Sequence, residues 1–145
     1  MGIFSNKILW LSVFSCFFAQ LLKVIVYRIM YKKFDFTRFV ETGGMPSSHS
    51  SSVATLSTCV GIARGFNSVE FAICFVFSVI VMYDAAGVRK AVGEQAKIIN
   101  RIITKFEQND QDVGDELKEL IGHTRPQVLI GALLGVLIGI LYLYI

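Results

Sequence analysis

Gln127-Val128-Leu129-Ile130-Gly131-Ala132-Leu133-Leu134-Gly135-Val136-Leu137-Ile138-Gly139-Ile140-Leu141-Tyr142-Leu143-Tyr144-Ile145 runs for 19 residues without a charge. As a helix rising about 1.5 Å per residue it reaches about 28 Å, close to the hydrocarbon thickness of a bilayer. Gly131, Gly135 and Gly139 recur every four positions, which gives one face a smooth stripe for close helix packing. Such a stripe serves packing within one chain, or association of two copies into a homo-oligomer.

Working outward, residues 8–30 are apolar apart from Gln20, Lys23 and Arg28. Their helix would reach about 34 Å, enough to cross. This run outlasts the roughly 7–15 apolar residues of a signal peptide, and no small-residue cleavage site follows, so a retained membrane segment is expected. Between the two long runs lie shorter ones, 50–63 and 71–83, with a turn at Asn67 and Ser68 after Gly65. Two short spans and one re-entrant hairpin both fit them. Residues 88–106 carry Val88, Val92, Ala96, Ile99, Ile103 and Phe106 at helical spacing, flanked by Arg89, Lys97, Arg101 and Lys105. That pattern predicts an amphipathic helix, lying either on the membrane surface or against the protein's own core.

The whole chain agrees. Of 145 residues, 54% are hydrophobic and 17% charged, against roughly 25% charged in a soluble domain. Mean hydropathy is +0.60. The expected architecture is an all-α integral membrane bundle in one domain, residues 1–145. It has about four membrane helices, the middle two short or re-entrant, plus an amphipathic interfacial helix. Fourteen basic against eleven acidic residues are too balanced for a nucleic-acid binder. Cys16, Cys59 and Cys74 all sit in apolar runs with no Cys-x-x-Cys spacing, so they read as small buried hydrophobes, with no metal site expected.

Charge sets the orientation. Arg28, Lys32, Lys33 and Arg38 surround the first loop, only Arg64 lies near the second, and seven Lys/Arg lie between Asp84 and Arg125. The first and third loops share a side however the middle runs cross, and by the positive-inside bias that side is the cytoplasm.

Both histidines fall on that side. His49 lies in Gly43-Gly44-Met45-Pro46-Ser47-Ser48-His49-Ser50, where a glycine pair leads through proline, read as part of the first helical turn, into a helix capped by serines. His123 lies in Gly122-His123-Thr124-Arg125-Pro126-Gln127, at the start of the last span. Helix starts offer amides and a positive dipole end to a phosphate. Two imidazoles can divide nucleophilic attack and protonation of a leaving oxygen between them. Gln20, Lys23 and Asp84 are costly at membrane depth unless they face a site.

Met45-Pro46-Ser47-Ser48-His49-Ser50 resembles the Pro-Ser-Gly-His motif of the type 2 phosphatidic acid phosphatase superfamily, which includes the vanadium haloperoxidases. Gly122-His123, with Val128-Leu129-Ile130-Gly131 following, resembles its last motif. The fuller set, from Glu41 to Ser50 together with Tyr83-Asp84-Ala85-Ala86-Gly87-Val88-Arg89, is similar to a small divergent bacterial branch. The resemblance implies phosphomonoester hydrolysis through a phosphohistidine, with no metal or other cofactor. It makes His123 the nucleophile and His49 the general acid. It makes Arg89, Ser47, Ser48, Lys23 and Arg38 phosphate ligands. Arg89 precedes His123 by far more than the family spacing, and a literal Lys-x6-Arg-Pro at Lys118, Arg125 and Pro126 is out of order and reads as coincidence.

The family places an Asp four residues after the nucleophile, where this chain has Gln127. Either Asp84 supplies that acid from another helix, or turnover is weak. The implied partners are the bilayer and a lipid phosphate, of phosphatidylglycerophosphate, phosphatidate or polyprenyl phosphate type, at the inner membrane with the site facing the cytoplasm. The alternative is an inactive protein of the same fold that binds lipid phosphates or a protein partner. A vanadate-dependent peroxidase fits poorly, because a membrane-embedded site suits an amphiphilic ester.

Overall fold

Asn6 begins the first helix by accepting the Leu9 amide on its side chain at 3.0 Å. Helix α1 (Lys7–Tyr31) then runs about 37 Å and stops at Lys32, whose φ of 54° is left-handed. Its two faces are reversed relative to a soluble helix. Trp10, Phe14, Phe17, Leu21 and Ile25 point outward, whereas Ser12, Ser15, Ala19 and Lys23 are buried. In lipid the apolar side chains lose nothing by facing out, and small or polar ones gain contacts and hydrogen bonds by facing in. The computed structural model describes residues 2–32, 44–107 and 123–145.

The helices that follow are α2 (Ser48–Arg64), α3 (Val69–Ala86), α4 (Val88–Glu107) and α5 (Arg125–Ile140). Short 3₁₀ turns lie at Ile3–Ser5 and Leu141–Tyr144. Among the described residues all regular structure is helical. Among the described residues, three stretches are long and apolar enough to cross a membrane: α1, Val69–Thr104, and Arg125–Tyr144. The protein is an integral membrane helical bundle.

A helix of only 17 residues is the centre of the bundle. Helix α2 packs on α1, α3 and α5, and its buried residues are mostly Ser, Thr, Ala and Gly. Ser51 Oγ lies 2.6 Å from Ser15 Oγ on α1. Thr55 Oγ1 lies 2.8 Å from Ser15 Oγ and 2.9 Å from the Gly135 carbonyl on α5. On α3, Ser78 Oγ lies 2.7 Å from Ser57 Oγ and 2.9 Å from the Val53 carbonyl. At about 25 Å α2 is short for a span, but its neighbours shield it from lipid.

The glycine stripe explains how close that packing is. A methyl group at Gly131 or Gly135 would collide with the Ser47 or Ser51 carbonyl, and one at Gly139 would sit 2.6 Å from Thr58 Cβ. Successive glycines meet successive turns of α2, so the two helices run parallel with both N-termini at one end. The stripe is used inside the bundle, not offered to a second copy. Helices α2 and α3 form an antiparallel pair, with α2 packed along α5. Their turn at Gly65 is closed by Arg64 and Glu70, 3.1 Å apart.

Helix α4 continues from α3 across Gly87. Its apolar sector is split. Ala96 and Ile103 are buried, with Asn100, while Val88, Val92, Ile98, Ile99 and Ile102 are exposed beside Lys97 and Arg101. One edge therefore faces protein, and the other has the composition of an interfacial surface.

Candidate functional site

The parallel course of α2 and α5 gathers the sequence candidates at one end of the bundle. Ser47 is the N-cap of α2: its Oγ accepts from the Ser50 hydroxyl at 2.9 Å and the Ser50 amide at 3.4 Å. Pro46 therefore precedes the cap and does not form the first helical turn, because Ser47, with a side chain that can accept, takes the cap position. The Ser47 amide donates to the Gln127 carbonyl in the first turn of α5, at 3.2 Å. Ser47 and Ser48 are both buried, and the Ser48 and His49 amides head the helix, where no intrahelical acceptor exists.

His123 sits just before α5 and is only 2% exposed. Its amide donates to the Ala85 carbonyl at the end of α3, 3.2 Å away, which fixes the backbone from a third helix. Its Nδ1 lies 3.4 Å from Gln127 Oε1, and the same oxygen accepts the Thr124 amide at 3.0 Å. Its Nε2 is buried and has no hydrogen-bond partner among the described residues. Burial pushes the ring's pKa below the ordinary imidazole value. The Gln127 bond and the Gly44 backbone oppose that shift, whereas the positive fields of Lys23 and His49 reinforce it.

Lys23, on the inward face of α1, is also 2% exposed. Gly44 makes room for it. A Cβ there would lie 3.1 Å from Lys23 Cγ and Cδ, and the Gly44 φ of +93° is one that side chains rarely adopt. A cavity of about 520 Å³ opens beside these groups, lined among others by Lys23, Tyr27, Met30, Met45, Pro126 and Gln127. One end is polar and cationic; the rest is apolar or aromatic, with the Tyr27 and Tyr31 rings 4.7 Å apart.

His123, His49 and Lys23 are thus brought together, with Ser47 and Ser48 at the adjoining helix start. Asp84 lies in the last turn of α3, one residue before Ala85, and makes no hydrogen bond to either ring nitrogen of His123. Arg89 is the second residue of α4; its side chain and all of Arg38 lie outside the described residues. Two contributors were missed by the sequence reading of the site. The Thr124-x-x-Gln127 spacing is that of a capping box, which marks Gln127 as a side chain that turns back toward the helix start. The Ala85 carbonyl carries no sequence signal at all. Among the described residues, no three His, Cys, Asp or Glu side chains cluster to hold a metal ion.

A membrane helical bundle that brings two histidines and a buried lysine together at one end, beside a cavity, defines the class of this protein. Residues 4–138 match the divergent PAP2 family, and the chain belongs to that family. It is similar to an uncharacterized membrane protein, YuiD, of Bacillus subtilis (strain 168). The two are 38% identical over 155 aligned positions covering 99% of this chain and 98% of the relative. No solved structure matches.

Proposed function

We propose that the protein is a membrane lipid phosphatase working through a phosphohistidine at His123. The observation that carries this reading is His123 Nε2: buried, without a hydrogen-bond partner among the described residues, under the positive influence of Lys23 and His49, and close to a cavity with one cationic and one apolar end. A lone acceptor in a cationic setting suits attack on a phosphoryl group, whose charge Lys23 and two helix N-termini would offset.

In the first step Nε2 forms a bond to phosphorus as the ester P–O bond breaks. His49, as imidazolium, gives its proton to the departing lipid alkoxide. In the second step water attacks phosphorus and the N–P bond breaks. His49, now neutral, takes the water proton, so phosphate leaves and both rings return to their starting forms. Arg89 and Arg38, with the Ser47–Ser48 turn, would complete the phosphate cradle. The apolar cavity wall favours an ester with a hydrocarbon tail, such as phosphatidate, phosphatidylglycerophosphate or a polyprenyl phosphate. In the sequence, Arg28, Lys32, Lys33, Arg38, Arg89 and Lys90 fall within or beside the two segments that lead to His49 and His123, which supports a cytoplasmic-facing site in the inner membrane.

A second reading, a non-hydrolytic binder of lipid phosphates, keeps the same pocket. Gln127 favours it, because a neutral amide gives no countercharge to a ring that becomes positive when phosphorylated. Phosphate release from the three named lipid phosphates in detergent, with and without EDTA, separates the two. Release that survives EDTA supports the hydrolase. Tight binding without release supports the binder.

A further inference from the structure

Gln127 Oε1 faces two nitrogens, the Thr124 amide at 3.0 Å and His123 Nδ1 at 3.4 Å. A backbone amide can only donate, so the Gln127 atom facing Thr124 is the carbonyl oxygen and not the NH₂ group. That same oxygen faces Nδ1, and two acceptors form no hydrogen bond. Nδ1 must carry a proton. A neutral imidazole has only one ring proton, which leaves Nε2 with a bare lone pair. This is the nitrogen found buried without a partner.

We propose that Gln127 is the positioning residue of this site: it fixes His123 as the neutral Nδ1–H tautomer and so presents Nε2 as the nucleophilic atom. The proposal deepens the phosphatase reading and rests on it only for the use to which Nε2 is put. The capping bond to Thr124 holds the Gln127 side chain, and the Ala85 carbonyl holds the His123 backbone, so both ends of the contact are anchored.

An amide in place of a carboxylate changes the charge of the site. Lys23 on α1 and His49 on α2 both disfavour a proton on the ring. Helix α3 presents the Ala85 carbonyl to the His123 amide and carries Asp84 one residue earlier. Helix α5 carries Arg125 in its first turn, and α4 carries Arg89 in its first. The Gln127 bond and the Gly44 backbone favour a proton on the ring, but no negative group among the described residues is bonded to it, so burial prevails and the free base is the resting form.

Ring ¹⁵N NMR of the full-length protein in detergent micelles tests this directly. The chain has only two histidines, so the spectrum of a His49→Asn variant assigns them. The native protein should show His123 protonated at Nδ1 and bare at Nε2 near neutral pH. Gln127→Ala should let the tautomer mix. Gln127→Glu keeps an acceptor for Thr124 but adds a charge, and should raise the ring's protonation midpoint by about 1–3 units. A merely structural Gln127 would leave that midpoint where it was. An Nε2–H ring in the native protein, or an unmoved midpoint in Gln127→Glu, would overturn the proposal. No substrate is needed. A protein with the expected tautomer that releases no phosphate refutes only the phosphatase reading. An active enzyme with an Nε2–H ring refutes only the positioning role.

Discussion

The Ser47 amide donates to the Gln127 carbonyl at 3.2 Å, which ties the first turn of α5 to the N-cap of α2. One residue thereby joins the two histidine motifs: the Gln127 backbone holds the turn that precedes His49, and its side chain meets His123. The approach is possible because Gly131, one turn further along α5, has no Cβ to strike the Ser47 carbonyl. Site geometry and helix packing are therefore the same problem in this protein.

That dependence makes the glycine stripe sensitive. Gly135→Leu should destabilise the bundle by about 1–3 kcal/mol, the cost of overpacking, because its side chain meets the Ser51 backbone. Leu137→Ala, at a residue 64% exposed on the outward side of the same helix, should change little. Thermal unfolding in a fixed detergent measures both. Equal effects would argue against the α2–α5 interface.

Gln127 and Asp84 should now rank differently from what motif spacing suggests. Losing the orienting hydrogen bond in Gln127→Ala should slow lipid phosphate hydrolysis on the order of tenfold, equivalent to about 1.4 kcal/mol. Asp84→Asn should cost less, because Asp84 bonds neither ring nitrogen. Initial rates of phosphate release from phosphatidate micelles test the order.

The pH profile follows from the ring's surroundings. Burial and two cationic neighbours lower the His123 pKa, and the neutral ring is the attacking form. The active form should therefore persist as pH falls below about 6.5, the ordinary imidazole value, and disappear only when pH passes the depressed pKa. In kcat/KM against pH, the acid limb should lie below 6.5 and move up in Gln127→Glu. An acid limb above 6.5 would mean that a negative group controls the ring.

Two of the crossing stretches were legible in sequence because long apolar runs identify them, as in residues 127–145; the third, Val69–Thr104, read as a short run followed by a separate amphipathic helix. The amphipathic pattern of α4 was equally plain. Which face each helix turns inward was harder, because apolar residues surround α1 and only Ser12, Ser15, Ala19 and Lys23 reveal its inner side. The sequence shows that Gln127 can accept a hydrogen bond without supplying a charge, but that its partner is His123 Nδ1 appears only once the helix start is built. The Ala85 carbonyl bond to His123 was invisible in principle, since any residue at 85 offers the same carbonyl.

Orientation is open to a chemical test. Single cysteines at Thr42 and Gln111, in a chain lacking Cys16, Cys59 and Cys74, should resist a membrane-impermeant maleimide in intact cells and react after permeabilisation. Labelling of both in intact cells would reverse the topology and point to externally exposed lipids as substrates.

The central claim is that His123 carries the phosphoryl group. Rapid acid-free quenching of the protein with ³²P-labelled phosphatidate, followed by denaturing electrophoresis, tests it most directly. The account expects label on the native chain that is lost in acid and stable in base, no label on His123→Ala, and label that builds up more slowly on His49→Ala, whose turnover should fall by about 10²–10⁴-fold. Full turnover by His123→Ala, or phosphate release with label on neither variant nor native protein, would contradict it.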